Sequence, residues 1–122
     1  MAKSIIQSGR YCYATRASNC ILEKHHIFNG PLRSWSEKEG LWVYLSVDAH
    51  QNKAHKSEEL YWVLKRIGQY YFEKKHTREE FMAHTRENYL INPLSNEEKQ
   101  MYGIDVEVLD LSECSEIEKL FN

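Results

Sequence analysis

Cysteine is scarce in this 122-residue chain, and none of it is paired: Cys12, Cys20 and Cys114 are an odd set with no C-x-x-C spacing. That excludes a disulfide framework, and a four-thiolate zinc site with it. Cys12 and Cys20 read instead as small apolar residues of a reduced compartment. Long apolar runs are missing too; none approaches the roughly 18 residues a bilayer span requires. The opening MAKSIIQSGR has a lysine but no apolar stretch of the signal-peptide kind, so no membrane partner and a cytoplasmic location are expected. There are no internal repeats and no low-complexity tracts. What remains is a chain of one domain, with room for an appendage, long enough to bury a modest core without cross-links.

Net charge is small but unevenly placed. Residues 1–90 hold 14 Lys and Arg against 10 Asp and Glu, while residues 91–122 hold 2 against 8. A surface for nucleic acid therefore belongs in the first three quarters, and the acidic remainder would oppose it. The same imbalance also fits plain solvated surface.

Periodicity gives the elements. Ser4–Tyr13 (SIIQ, then RYCY) reads as a lead-in segment and a first strand, and Thr15–Asn19 as a turn. Cys20–Phe28 reads as a β segment ending at two histidines, broken by Asn29-Gly30-Pro31. Residues 32–40 (LRSWSEKEG) form a loop or a one-turn helix with Arg33 and Trp35 as candidates for exposure, and Leu41–Ser46 is the second strand of a hairpin. Ser57–Lys75 is the clearest helix, with Leu60, Val63, Leu64, Ile67 and Tyr71 on one face. Gly68 would cost that helix about 1 kcal/mol against Ala if exposed. Thr77-Arg-Glu-Glu80 predicts a capping box over another helix, stopped by Pro93. Beyond it, Ser95-Asn-Glu-Glu98 predicts a short capped helix closed by Gly103, Ile104, Val106 and Val108 alternate as a strand does, and Ser112–Phe121 has helical spacing.

The stretch Leu22–His55 carries the chemistry, because it holds four of the six histidines. His25 and His26 end a short apolar strand; His50 and His55 open the following helical segment. Neighbouring strand side chains point to opposite faces, so one imidazole of the adjacent pair can face a metal while the other faces substrate. Imidazole serves both tasks, as a neutral ligand and as a base near neutral pH. An adjacent pair of histidines can equally be surface decoration. Asp48 reads as a helix cap rather than a ligand. His50 and His55 would sit about 140° apart on a regular helix; either the helix breaks near Asn52 and His55 folds back, or His55 is no ligand. Arg16, Lys24, Arg33, Lys53 and Lys56 surround this stretch and are candidate phosphate contacts, or a solvated rim. Trp35, Trp42 and Trp62 read as packing residues rather than base-stacking platforms.

From Lys3 to Leu90, the succession KSIIQ, RYCY, LEKHHIF, a glycine-containing loop, SEKEGLWVYL, a histidine pair, a helix and TREEFMAHTRENYL resembles small phage and prophage HNH-type endonucleases. In that family two strands and a helix wrap a divalent metal. The resemblance implies an α+β fold with a ββα-metal core over residues 1–90, additional helices, and a small acidic C-terminal appendage over 91–122. It implies His25 and His50 as metal ligands, His26 as the base that activates water, and His55 as a further ligand or a phosphate contact. The family's zinc knuckle is degenerate here: its two pairs read Cys12-Tyr-Ala-Thr15 and Ser46-Val-Asp-Ala49, so no structural zinc is expected. Gln51 stands where a helix asparagine is common. One divalent ion is expected at the histidines; imidazole ligation admits Zn²⁺, Ni²⁺ or Mn²⁺, whereas Mg²⁺ prefers oxygen. The implied activity is metal-dependent hydrolysis of DNA phosphodiesters in a bacterial cytoplasm. The alternative is a catalytically silent descendant that binds DNA without cutting, or inhibits a host defence protein. The acidic segment would then be a surface for a host or phage protein.

Overall fold

Alternation builds the hairpin that everything else packs against. In the structure, a computed structural model describing residues 2–104, Leu22–His26 forms β1 and Trp42–Ser46 forms β2. They pair antiparallel with Leu22 opposite Ser46, Lys24 opposite Tyr44 and His26 opposite Trp42. Side chains leave alternate faces. Glu23, His25, Val43 and Leu45 therefore share one face, and Val43 and Leu45 are fully buried there. Lys24, His26, Trp42 and Tyr44 share the other.

The strand expected within Ser4–Tyr13 does not form, and the described sheet has two strands. Residues 4–13 instead run as an irregular strap along the free edge of β2, satisfying it largely with side chains. Ser4 Oγ donates to the Trp42 carbonyl (2.6 Å), Tyr44 N donates to Gln7 Oε1 (2.6 Å), and Tyr13 N donates to the Tyr44 carbonyl (2.8 Å). Gly40 lets the strap approach: its φ is +72°, Ile5 N donates to its carbonyl, and a Cβ there would lie 2.3 Å from the Lys3 carbonyl oxygen.

Between the strands the chain makes a single 3₁₀ turn, Gly30–Leu32, and the short helix α1, Arg33–Lys38. Buried Ser36 closes this loop, donating to the Leu41 carbonyl (2.6 Å) while accepting from Phe28 N (3.2 Å). Trp35, a candidate for exposure, packs with Phe28, Phe72 and Phe81 and stacks on His84 at 4.7 Å. After β2 comes one wide π-type turn, Ala49–Lys53, and then α2, Glu59–Phe72.

The α2 stripe is wider than its apolar residues suggest. Leu64, Ile67, Tyr71 and Phe72 are buried, and so are Lys65, Gly68 and Gln69. Gly68 is no exposed weak spot: a Cβ would meet Ile27 Cγ2 and Phe28 Cε2 at 3.1 Å, so glycine sets how closely helix and hairpin approach. Gln69 has partners at both ends of its amide, donating to Glu73 and Asn88 and accepting from Tyr89 N. Helix α3, Arg78–Thr85, starts at Thr77, whose side chain accepts from Glu80 N, and inserts Phe81 into the aromatic cluster. Arg86, at φ +61°, ends it.

The chain divides into two units, Met1–Asn92 and Pro93–Asn122. In the second, α4 spans Asn96–Met101 behind a complete Ser95–Glu98 capping box, and Gly103, at φ +69°, follows it. The strand pattern beyond Ile104 and the helix at 112–121 lie outside the described residues. Among the described residues no helix is long and apolar enough to cross a membrane.

Candidate active site

Each of the two adjacent histidines has its own surroundings. His25, on the core face of β1, is only 6% exposed, and neither ring nitrogen has a hydrogen-bond partner among the described residues. Burial, with His50, Lys65 and His26 adding to it, pushes its pKa down to about 4, so the ring is neutral at pH 7. The π-type turn after β2 carries His50 to the same place. The two rings meet edge to face, centroids 5.2 Å apart at 68°. Two imidazoles sharing one ion at ~2.0–2.1 Å have centroids roughly 5 Å apart, the separation of this pair.

Glu23 stands behind His50. Two residues before His25 and on the same face, its Oε1 accepts from His50 Nδ1 at 3.0 Å. A carboxylate there fixes the proton on Nδ1 and leaves Nε2 free to bind a metal. Among the described residues no group of three His, Cys, Asp or Glu side chains converges. Two protein ligands would leave the remaining positions of an ion to water and substrate oxygens, the open arrangement of a catalytic rather than a structural site. His55 is not brought to the pair: it is exposed, with Nε2 against the carbonyl of Gln51, one turn back. Asp48 caps no backbone group by its side chain; its Oδ1 accepts from Asn52 Nδ2 at 2.8 Å.

His26 ends β1 on the other face. Its Nε2 lies 2.7 Å from Glu37 Oε1, and Lys24 Nζ reaches the same carboxylate at 3.1 Å. Hydrogen bonding from His26, then the charge and hydrogen bond of Lys24, holds the Glu37 carboxyl below its usual range. Glu37 is therefore ionised and accepts, placing the His26 proton on Nε2 and leaving Nδ1 as an open base.

Lys65 is the third unexpected participant. Only 4% exposed, it reaches from α2 to donate to the Ile27 carbonyl, between the rings of Phe28 (4.7 Å) and Tyr61 (4.6 Å). Burial brings its pKa down to about 8. The alternation of β1 already placed Glu23 with His25, whereas Lys65 lies off the apolar stripe read from the sequence and is buried because the stripe is wider in the fold. Glu37 gave no comparable signal, because it comes across the loop.

The candidate phosphate contacts are scattered. Lys24 is engaged by Glu37 and lies 4.1 Å over the Trp42 ring. Arg16, at φ +69°, lays its guanidinium over Tyr11 and Tyr13. Arg33 opens α1, and Lys53 and Lys56 follow His50; all three are exposed.

Cys12, Thr15, Ser46 and Ala49, the positions that the family resemblance implies for a knuckle, lie at the turn that ends the strap and at and just past the end of β2. Cys12 is fully buried, and although burial raises its pKa, hydrogen bonds from Thr15 and Ser46 bring it to about 7. Ser46 Oγ in turn accepts from Ala49 N at 3.2 Å. Arg16 N turns back to the Cys12 carbonyl at 2.7 Å. Of these four positions, Ser46 and Ala49 are joined directly by a hydrogen bond. No protein-family model matches the sequence, and neither a curated protein nor a solved structure is found to be similar to the chain.

Proposed function

We propose that the chain is a metal-dependent DNA endonuclease of the HNH type, with His25 and His50 holding one divalent ion and His26 activating the attacking water. The observation that carries this reading is the open, buried imidazole of His25 set edge-on to His50, with the Glu23 carboxylate behind it. When bound, the ion would supply Lewis-acid stabilisation of charge on the scissile phosphate. The chain's own residues do the rest. Glu37 fixes the His26 tautomer, so that Nδ1 can take a proton from water. His25 and His26 leave opposite faces of β1, so the reaction requires the phosphate to lie across the strand end, where His26 is the last residue, rather than over either face. Lys65 adds a buried positive charge beside the ligand pair.

The test is nicking of supercoiled plasmid with Mg²⁺, Mn²⁺, Ni²⁺ or Zn²⁺, each against EDTA, with His26→Ala alongside. Metal-dependent nicking that disappears in the variant is expected. Cutting retained in His26→Ala refutes the assigned base. A second reading, a silent descendant that binds DNA or a host defence protein, is favoured by the absence of a third clustered ligand among the described residues. It would show as no nicking with any metal.

A further inference from the structure

The strap and the outer face of the hairpin enclose a groove of about 560 Å³ that the catalytic reading does not use. Its walls carry Lys3, Arg10 and Lys24 with Trp42 and Tyr44, and no Asp or Glu contributes to the lining. The cations are held on aromatic faces: Lys24 Nζ lies 4.1 Å over Trp42, and the Arg10 guanidinium 5.1 Å over Tyr44. Such stacking orients the Arg10 guanidinium while leaving its hydrogens for an anion, whereas the Lys24 ammonium is already shared with Glu37 at 3.1 Å, so the charge offered to a ligand comes from Arg10 and Lys3. Lys3 and Arg10 are exposed, and neither has a carboxylate partner among the described residues. Buried Gln7, which also borders the groove, is spent on the Gly9 and Tyr11 carbonyls and on Tyr44 N, so recognition rests on charge.

Position selects the anion. Lys24 and Trp42 lie on the same hairpin face as His26, and Trp42 is its direct cross-strand partner. We infer that this groove binds the phosphodiester backbone of a nucleic-acid strand next to the bond to be cut, and that it takes a single, locally unpaired strand. The identity of the ligand rests on the nuclease reading. A cavity of about this size is in the range of small-ligand sites, ~300–1,000 Å³, and suits a nucleotide or two rather than the side of a duplex. A positively charged groove is how the backbone of a single strand is tracked.

The test uses the full chain in EDTA, so that nothing is cut, and fluorescence anisotropy of short labelled oligonucleotides: single-stranded DNA, single-stranded RNA of the same sequence, and the DNA duplex. The variant is Lys3→Gln/Arg10→Gln, whose residues touch neither histidine centre. Both single strands are expected to bind more tightly than the duplex. The double variant is expected to bind roughly tenfold more weakly, and its salt slope to fall by about two. Unchanged affinity and slope, tighter binding of the duplex, no binding of any oligonucleotide, or displacement by polyglutamate at equal charge concentration each overturn the proposal. The two readings fail separately. A protein that nicks plasmid while the double variant keeps wild-type binding loses the groove and keeps the nuclease. One that binds through Lys3 and Arg10 but never cuts loses the nuclease and keeps the groove.

Discussion

His26 Nε2 and Glu37 Oε1 lie 2.7 Å apart, joining the end of β1 to a helix in the loop between the strands. In the proposed reaction Glu37 never touches substrate; it is a positioning residue. Glu37→Gln is therefore expected to lower the single-turnover nicking rate by about 10- to 100-fold with little change in KM, as loss of an orienting partner does elsewhere. The pH profile should shift as well, since a neutral amide no longer stabilises the imidazolium. An equal fall in rate with an unaltered profile would mark Glu37 as merely structural.

Metal should act through two histidines and not three. Ni²⁺ or Zn²⁺ at about 100 times Kd should stabilise the wild-type protein by ~2.7 kcal/mol, read as a rise in Tm. His25→Ala and His50→Ala should abolish the rise, and Glu23→Gln should weaken metal binding about 10- to 100-fold. His55→Ala should leave the rise intact, since His55 is turned to the Gln51 carbonyl. A rise lost in His55→Ala alone would place the ion elsewhere.

Without metal, His25 makes the fold sensitive to acid. Its pKa falls from 6.5 to about 4 in the folded chain, so the unfolded chain takes up the proton first. Its contribution is complete above about pH 6.5 and is lost as pH falls toward 4. The loss amounts to about 3 kcal/mol. Denaturation at pH 7 and pH 4 measures it, and His25→Gln should flatten the difference. An NMR titration of His25 with a midpoint near 6.5 would remove its basis.

How much of this was legible follows from range. The two strands, α2, and the caps at Thr77 and Ser95 come from local pattern, because periods of two and 3.6 and a hydroxyl three residues before a glutamate are short-range signals. The strap was misread because Ser4 and Gln7 satisfy the β2 edge through side chains, which no backbone propensity encodes. Trp35 reads as a packing residue, but its partners were hidden because Phe72 and Phe81 come from α2 and α3. At the site, the histidines stand out in the sequence, whereas Glu37 and Lys65 acquire their surroundings only when the loop and α2 fold onto β1.

Glycine at 68 tests the packing of α2 on the hairpin. In a helix Gly→Ala gains about 1 kcal/mol from propensity. Here the new methyl meets Ile27 and Phe28 at 3.1 Å, and both are 1% exposed with no free side to yield toward. Overpacking of this kind costs about 1–3 kcal/mol. Gly68→Ala is expected to lower stability by about 1 kcal/mol in urea denaturation; a gain would mean that the Ile27 and Phe28 side chains give way.

The four positions that the resemblance implies for a zinc knuckle offer a test of ancestry that needs no activity. Cys12 is fully buried, and Ser46 Oγ accepts from Ala49 N. If these are the four positions of a lost zinc site, then Thr15→Cys/Ser46→Cys/Ala49→Cys completes a four-thiolate set on a backbone already turned for it, with Arg16 in the left-handed conformation that closes the first turn. The triple variant should bind one Zn²⁺, and Co²⁺ in its place should show the intense visible absorption of tetrahedral thiolate ligation. Structural zinc sites release large binding free energies, about 10–16 kcal/mol in small peptides, so the thermal stabilisation should be large and reversed by chelator. His25→Ala in the same background should leave it unchanged, because that ion would not involve the histidine pair. A triple variant that folds yet binds Co²⁺ without tetrahedral absorption would show that these positions never shared a metal, and would take the family resemblance down with them.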